Sequence, residues 1–139
     1  MTYRVSAVLP GLVDLLWADC VKYLQAAIDQ AQGETNTELT RAQVISGDAI
    51  LVVIYKESKI YGAAVVRKRD FDTGVSAVSV GLLGGVNMPD WIDDAFAVAK
   101  EIGIDLGCTK MYCTGRTGWE KALGHLGFEK AYTTLIHNF

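Results

Sequence analysis

The feature that most constrains this chain is a change of period near residue 49. Before it, apolar residues recur every three or four positions. After it they gather into short runs rich in Val and Ile, at residues 49–55, 60–67 and 75–83. Such runs fit strands rather than helices. The breaks between them are short and polar: Lys56-Glu57-Ser58-Lys59, then Asp70-Phe71-Asp72-Thr73-Gly74, where Gly suits a positive φ. Short connections force neighbouring strands to run antiparallel, so the middle of the chain predicts a three-stranded meander.

The flanks carry helical signals. Residues 2–8 read as a first strand. Leu12, Leu16, Cys20, Tyr23, Leu24, Ala27, Ile28 and Ala31 then form one apolar stripe, opened by Pro10-Gly11 and stopped by Gly33. A second helix is predicted from about Glu38 to Ile45. Thr35 and Glu38 have capping-box spacing, and Thr37 is a rival cap. Beyond the meander, Gly84-Gly85 closes the third run and Pro89 fits a first helical turn. Trp91, Ile92, Ala95, Phe96, Ala99 and Ile102 make the buried face of that helix, with Gly103 as its stop. A short strand at 109–113, a helix at 117–125 and a last strand at 129–137 complete the order β-α-α-β-β-β-α-β-α-β. The strand at 109–113 follows a strand and a helix, so it pairs parallel to the third run through a crossover. The fold class is α/β, a mixed and mostly antiparallel sheet with helices on both faces.

Composition narrows the function classes. At 139 residues the chain predicts one domain, 1–139. Half of its residues are apolar and the mean hydropathy is +0.21, yet apolar runs stay far below the ~20 residues of a membrane span. A net charge of −3 with scattered Lys and Arg argues against nucleic acid as a partner. No secretion signal opens the sequence, and three cysteines without framework spacing point to a reducing, cytoplasmic setting.

The stretch from Gly115 to Phe128, which ends Leu126-Gly127-Phe128, resembles the late helix of GNAT acetyltransferases, and the element order agrees along nearly the whole chain. Leu-Leu-Gly-Gly at 82–85 and Gly-Arg-x-Gly-Trp at 115–119 are similar to small GNAT-like proteins of tailed phages. The resemblance implies acetyl-CoA, held where the third run of the meander splays from the strand at 109–113. The backbone of Leu82, Leu83, Gly84, Gly85, Val86, Asn87 and Met88 would hold it, with N–H groups at the helix start cradling the pyrophosphate. A host cytoplasm or a virion is the location this resemblance implies.

Against the family pattern, Val86 and Met88 stand near the expected loop glycines. No Arg or Lys lies between Arg69 and Lys100, and Asp90, Asp93 and Asp94 crowd the helix start. Carboxylates complement a helix N-terminus but compete there with a phosphate. Leu123 replaces a Tyr that often protonates the leaving thiolate, Arg116 replaces an Asn, and no Asp or Glu falls within 75–83. Tyr112, Cys113, Arg116 and His125 remain as nearby groups, with Tyr112 and Arg116 the catalytic candidates.

The other motifs read structurally. Gly81-Leu82-Leu83-Gly84-Gly85 lacks dinucleotide-fingerprint spacing and fits a strand bulge or tight exit. Cys108, Cys113 and His125 match no zinc pattern, so no metal is expected. Arg67-Lys68-Arg69 reads as a solvated strand edge. The tryptophans read as core anchors, with Trp91 and Trp119 able to narrow the gap. Residues 11–47 carry no recognition chemistry that would define an acceptor.

Two function classes follow. One is an acetyl-CoA-dependent N-acetyltransferase with a degenerate pyrophosphate loop, acting on an amine. The other is a non-catalytic structural or interaction protein of the same fold, a virion component or a binder of a host target. A membrane partner is not expected, and homo-oligomer or virion assembly stays open, because an exposed last strand could add to a neighbour's sheet.

Overall fold

A computed structural model describes residues 2–115 and 118–139. One five-stranded sheet forms the middle layer, with strands β1 (Arg4–Val8), β2 (Ile50–Lys56), β3 (Lys59–Asp70), β4 (Ser76–Gly85) and β5 (Lys110–Cys113) side by side in chain order. The first three pairings are antiparallel, and β4 with β5 is parallel, as the crossover rule requires. Helices α1 (Val13–Asp29) and α2 (Thr37–Ser46) cover one face. Helices α3 (Ile92–Asp105) and α4 (Gly118–Leu123) cover the other. The predicted mixed α/β class is therefore present.

Strand alternation divides the core in two. Leu51, Val53, Ala63 and Val65 pack against Val13, Cys20, Leu24, Ile28 and Val44. Val52, Ile54, Ala64 and Val66 pack against Trp91, Ala95, Phe96 and Ala99. Successive residues point to opposite faces, so a strand covered on both sides must be apolar throughout. That is why residues 50–54 read as an unbroken run.

Several boundaries differ from the sequence reading. Neither Thr35 nor Thr37 caps α2. Asn36 does, its side chain accepting from the Leu39 N–H at 2.9 Å, while Thr35 and Thr40 share a hydroxyl contact at 3.0 Å. Helix α1 stops at Asp29, ahead of Gly33. Gly103 does not stop α3. The helix continues to Asp105, and Gly107, at φ 79°, is the left-handed stop. Gly103 is small because a Cβ there would come within 2.8 Å of the Val78 Cγ1. The helix predicted at 117–125 is shorter. Its α-helical part is Gly118–Leu123, a 3-10 turn follows at Gly124–Leu126, and Thr117 lies outside the described residues.

The predicted last strand is the main correction. Residues 128–139 form no strand, and every residue from 129 to 139 is exposed. Tyr132, Thr133, Thr134 and Ile136 have high β-propensity. A strand also needs an edge to pair with, and within this chain the segment does not take one.

Candidate functional site

The region to which the sequence pointed is the exit of β4. Pairing with β3 shifts by one residue between Val65 and Val66, opposite Val80 and Leu82, which leaves Gly81 as the extra residue of a bulge. Pairing with β5 covers Ala77 to Val80 only. The Thr114 N–H makes a long last contact to the Val80 carbonyl at 3.4 Å. From Gly81 to Gly85, β4 keeps β3 on one side and leaves its other edge unpaired. The bulge and the parting of the strands coincide, because a bulge bends the strand that carries it.

The two glycines at this exit have packing reasons. A Cβ on Gly84 would overlap the Tyr23 carbonyl oxygen of α1. A Cβ on Gly85 would meet Gly62 and the Trp91 indole, each at 2.7 Å. Trp91 is fully buried beneath this point, and its Nε1–H donates to the Val86 carbonyl at 2.7 Å. It packs under β3 and β4 as the predicted core anchor, against Gly62 and Gly85.

Beyond Gly85 the backbone turns sharply. Asn87 is left-handed at φ 57°, a 3-10 turn follows at Met88–Asp90, and α3 begins at Ile92 without a side-chain cap. The leading N–H groups of a helix lack intrahelical partners, so this start presents donors. Asp90, Asp93 and Asp94 are exposed around it. Asp93 contacts the His125 Nε2 at 2.7 Å, which ties the helix start to the turn after α4.

Basic groups reach the flank of this turn from a part of the chain that local sequence could not indicate. Asn87 donates to the Tyr3 hydroxyl at 3.1 Å. Tyr3 stands edge-on to Tyr61 at 5.2 Å, and the Lys56 ammonium lies 4.6 Å from the Tyr3 ring centre. Lys59 is 5.2 Å from the Tyr61 ring. The signal for this cluster is tertiary, because β1 and the β2–β3 turn meet the β4 exit only in the folded sheet.

The predicted catalytic candidates do not converge there. Tyr112 sits opposite Ser79, with its ring against Phe71 at 6.0 Å and beside the Arg69 guanidinium at 5.8 Å. That places it over the β3–β4 hairpin, at the other end of the strand. Arg116 lies outside the described residues. Cys113 is half-buried, and burial pushes its thiol up to about 11 from 9.0, so it is not a thiolate nucleophile at neutral pH. Leu123, which stands where the resemblance expects a Tyr, is fully buried in the core with α3. The basic run is engaged: Arg67 donates to Gln43 at 2.8 Å, Lys68 pairs with Asp70 at 3.4 Å, and Arg69 stacks on Phe71. Among the described residues no group of three or more His, Cys, Asp or Glu side chains gathers to hold a metal. No described helix is long and apolar enough to cross a membrane.

The thiols give a pH dependence. Cys20 is likewise raised to about 11, by burial first and the Asp19 carboxylate second. Both groups titrate higher folded than unfolded. Their contribution to stability is complete below about pH 9 and is lost as pH rises toward 11. Urea unfolding across that window should show falling stability, with a shallower fall in Cys113→Ser; an unchanged slope refutes the assignment.

Neither a protein-family model nor a curated protein sequence matches the chain. Solved structures do. An aminoglycoside acetyltransferase from an uncultured soil metagenomic sample, in complex with trehalose, superposes at a TM-score of 0.73 with 10% identity, covering 99% of this chain and 96% of that one. A GNAT family acetyltransferase from Staphylococcus aureus gives 0.68 and 16% over the full length of both chains. This chain has the GNAT fold. Glucosamine-6-phosphate N-acetyltransferase from Arabidopsis thaliana shares that GNAT fold at a TM-score of 0.70 and 12% identity, covering 100% of this chain and 99% of that one. At these identities the likeness carries the architecture, and function must be argued from the site.

Proposed function

We propose that this chain binds acetyl-CoA along the unpaired edge of β4 and transfers the acetyl group to an amine. The observation that carries the reading is that β4 outruns β5 from Gly81 to Gly85 and leads into an uncapped helix start. The free backbone suits the amides of a pantetheine arm, and the helix start suits a pyrophosphate. The charge fits less well, because Asp90 and Asp94 stand where phosphates would come. Lys56 and Lys59, held over the Tyr3 and Tyr61 rings on the flank of the turn, would supply compensation. The segment Leu82 to Met88 would hold the cofactor, whose thioester supplies an activated acyl group. In the transfer the amine nitrogen bonds the acetyl carbon, the carbon–sulfur bond breaks, and the amine's proton leaves to water as the sulfur gains one. The chain's part is to bind and orient, since Tyr112 and Cys113 are not placed as proton carriers there.

A second reading, a binding or structural module, has its own support. Leu123 fills the family's acid position with core packing rather than a titratable group. The phage-like motifs at 82–85 and 115–119 are the basis for a virion component or a host-target binder, and for those locations.

Calorimetry with acetyl-CoA tests the first reading. Ligand at 100 times its Kd should stabilise the folded state by about 2.7 kcal/mol. Val86→Glu, at a half-exposed position on the turn, should weaken binding at least about tenfold, or 1.4 kcal/mol, with the fold intact. Absence of binding at millimolar acetyl-CoA refutes it. Binding without transfer to any of a panel of amines favours the module.

A further inference from the structure

Among the described residues two surfaces lack partners, and they complement one another. The first is the segment 129–139, exposed at every residue, with Leu135 at 89%. Tyr132-Thr133-Thr134-Leu135-Ile136 has high strand propensity, and no Gly or Pro interrupts residues 129–139. The second is the outer edge of β5. The sheet ends there, with β4 on one side only. The Thr114 N–H reaches the Val80 carbonyl of β4 at 3.4 Å, and in the same register Lys110 and Tyr112 face β4, so the alternate amides, those of Met111 and Cys113, point to the open edge. Beside β5 opens a cleft of about 260 Å³ lined by Gly103, Ile104, Met111, Leu126 and Phe128, together with Lys110. Lys100 and Thr109 also line it, and it shares no lining residue with the Val86–Asn87 turn.

Neither need is met among the described residues. The segment departs at Phe128, whose ring packs edge-on against Phe96 of α3 at 5.3 Å, and runs clear of its own sheet. An exposed apolar strand-former beside an open edge is a template for pairing between chains. A second copy supplies both halves at once, and two-fold exchange satisfies each tail with the other's edge. The size is adequate. Tyr132 and Phe139 each bring ~150–250 Å². With Leu135 and Ile136, doubled by symmetry, the exchange reaches the ~1,200–2,000 Å² class of stable interfaces.

We propose that residues 129–139 add as a strand to the β5 edge of a second copy, making a strand-exchanged dimer. In it, Tyr132 and Ile136 lie on one face of the added strand and Ala131 and Leu135 on the other. The proposal is independent of acetyl-CoA binding.

Light scattering over a dilution series, with hydrogen exchange on the same samples, tests it. The expected mass is twice the 15.1 kDa protomer, with alternate amides of 131–137 protected in the dimer and unprotected where dilution yields protomer. Leu135→Asp combined with Ile136→Asp should give the protomer mass with an unchanged circular dichroism spectrum, because both side chains are exposed in the protomer. Deletion of residues 129–139 should do the same. A wild-type protomer mass at all concentrations, with the tail free or folded onto its own β5, overturns the proposal. So does a mass above the dimer, a dimer with unprotected tail amides, or one that survives the double Asp variant.

Discussion

Gly84→Val should lower the unfolding free energy by more than about 4 kcal/mol, among the largest effects a single substitution has. The new Cβ would overlap the Tyr23 carbonyl oxygen, a backbone atom that cannot rotate aside. Relief requires lifting α1 from β4 and opening the core built on Cys20, Leu24 and Leu82. Against a total stability of about 5–15 kcal/mol, that leaves the variant marginal. Gly81→Val is the control. It lies in the same strand with open space around its Cβ and no positive φ, so its effect should stay near 1 kcal/mol, a typical single-substitution cost. Urea unfolding of the two proteins decides the matter, and a Gly84→Val protein as stable as Gly81→Val would refute the close approach of α1.

Trp91→Ala should cost about 3–5 kcal/mol, the usual loss for a fully buried large aromatic. The indole fills the space over Gly62 and Gly85 and also satisfies the Val86 carbonyl. Trp91→Phe separates these roles. It restores most of the packing but leaves that carbonyl without its donor, a loss of about 1–3 kcal/mol where the group is buried. Thermal unfolding of wild type and both variants should therefore rank them in that order. A Phe variant no better than the Ala variant would mean that the hydrogen bond, rather than the ring's bulk, holds the β4 exit.

Much of the architecture was legible because it is written in local periodicity. The runs at 49–55, 60–67 and 75–83 became β2, β3 and β4, and the stripe from Leu16 to Ile28 became the buried face of α1. The bulge was legible as well, from glycine in a strand. What the sequence hid depends on partners distant in the chain. Gly103 looked like a helix stop, because its real neighbour, Val78, lies on another element. That Gly84 and Gly85 must be small was hidden as well, because Tyr23 and Trp91 become their neighbours only after folding. Lys56 comes to the flank of Asn87 through Tyr3, a route no motif records. Residues 129–137 have the composition of a strand, and composition does not say which edge, or whose, a strand will meet.

The extra residue at Gly81 has one more consequence. Before it, Val78 and Val80 side with α3; after it, Leu82 sides with α1 and Leu83 lies against the α3 core. The insertion advances the strand by half a period and so inverts its parity. It is this inversion that aims Gly84 at the Tyr23 backbone and Gly85 at the Trp91 ring. A strand without it would offer the larger Leu83 to the α1 backbone and Gly84 to the indole. The fit of both helical layers to the sheet's last turn thus hangs on Gly81 being held out of the ladder, and a change that drew it into regular pairing would turn every residue from Leu82 to Gly85 to the wrong face.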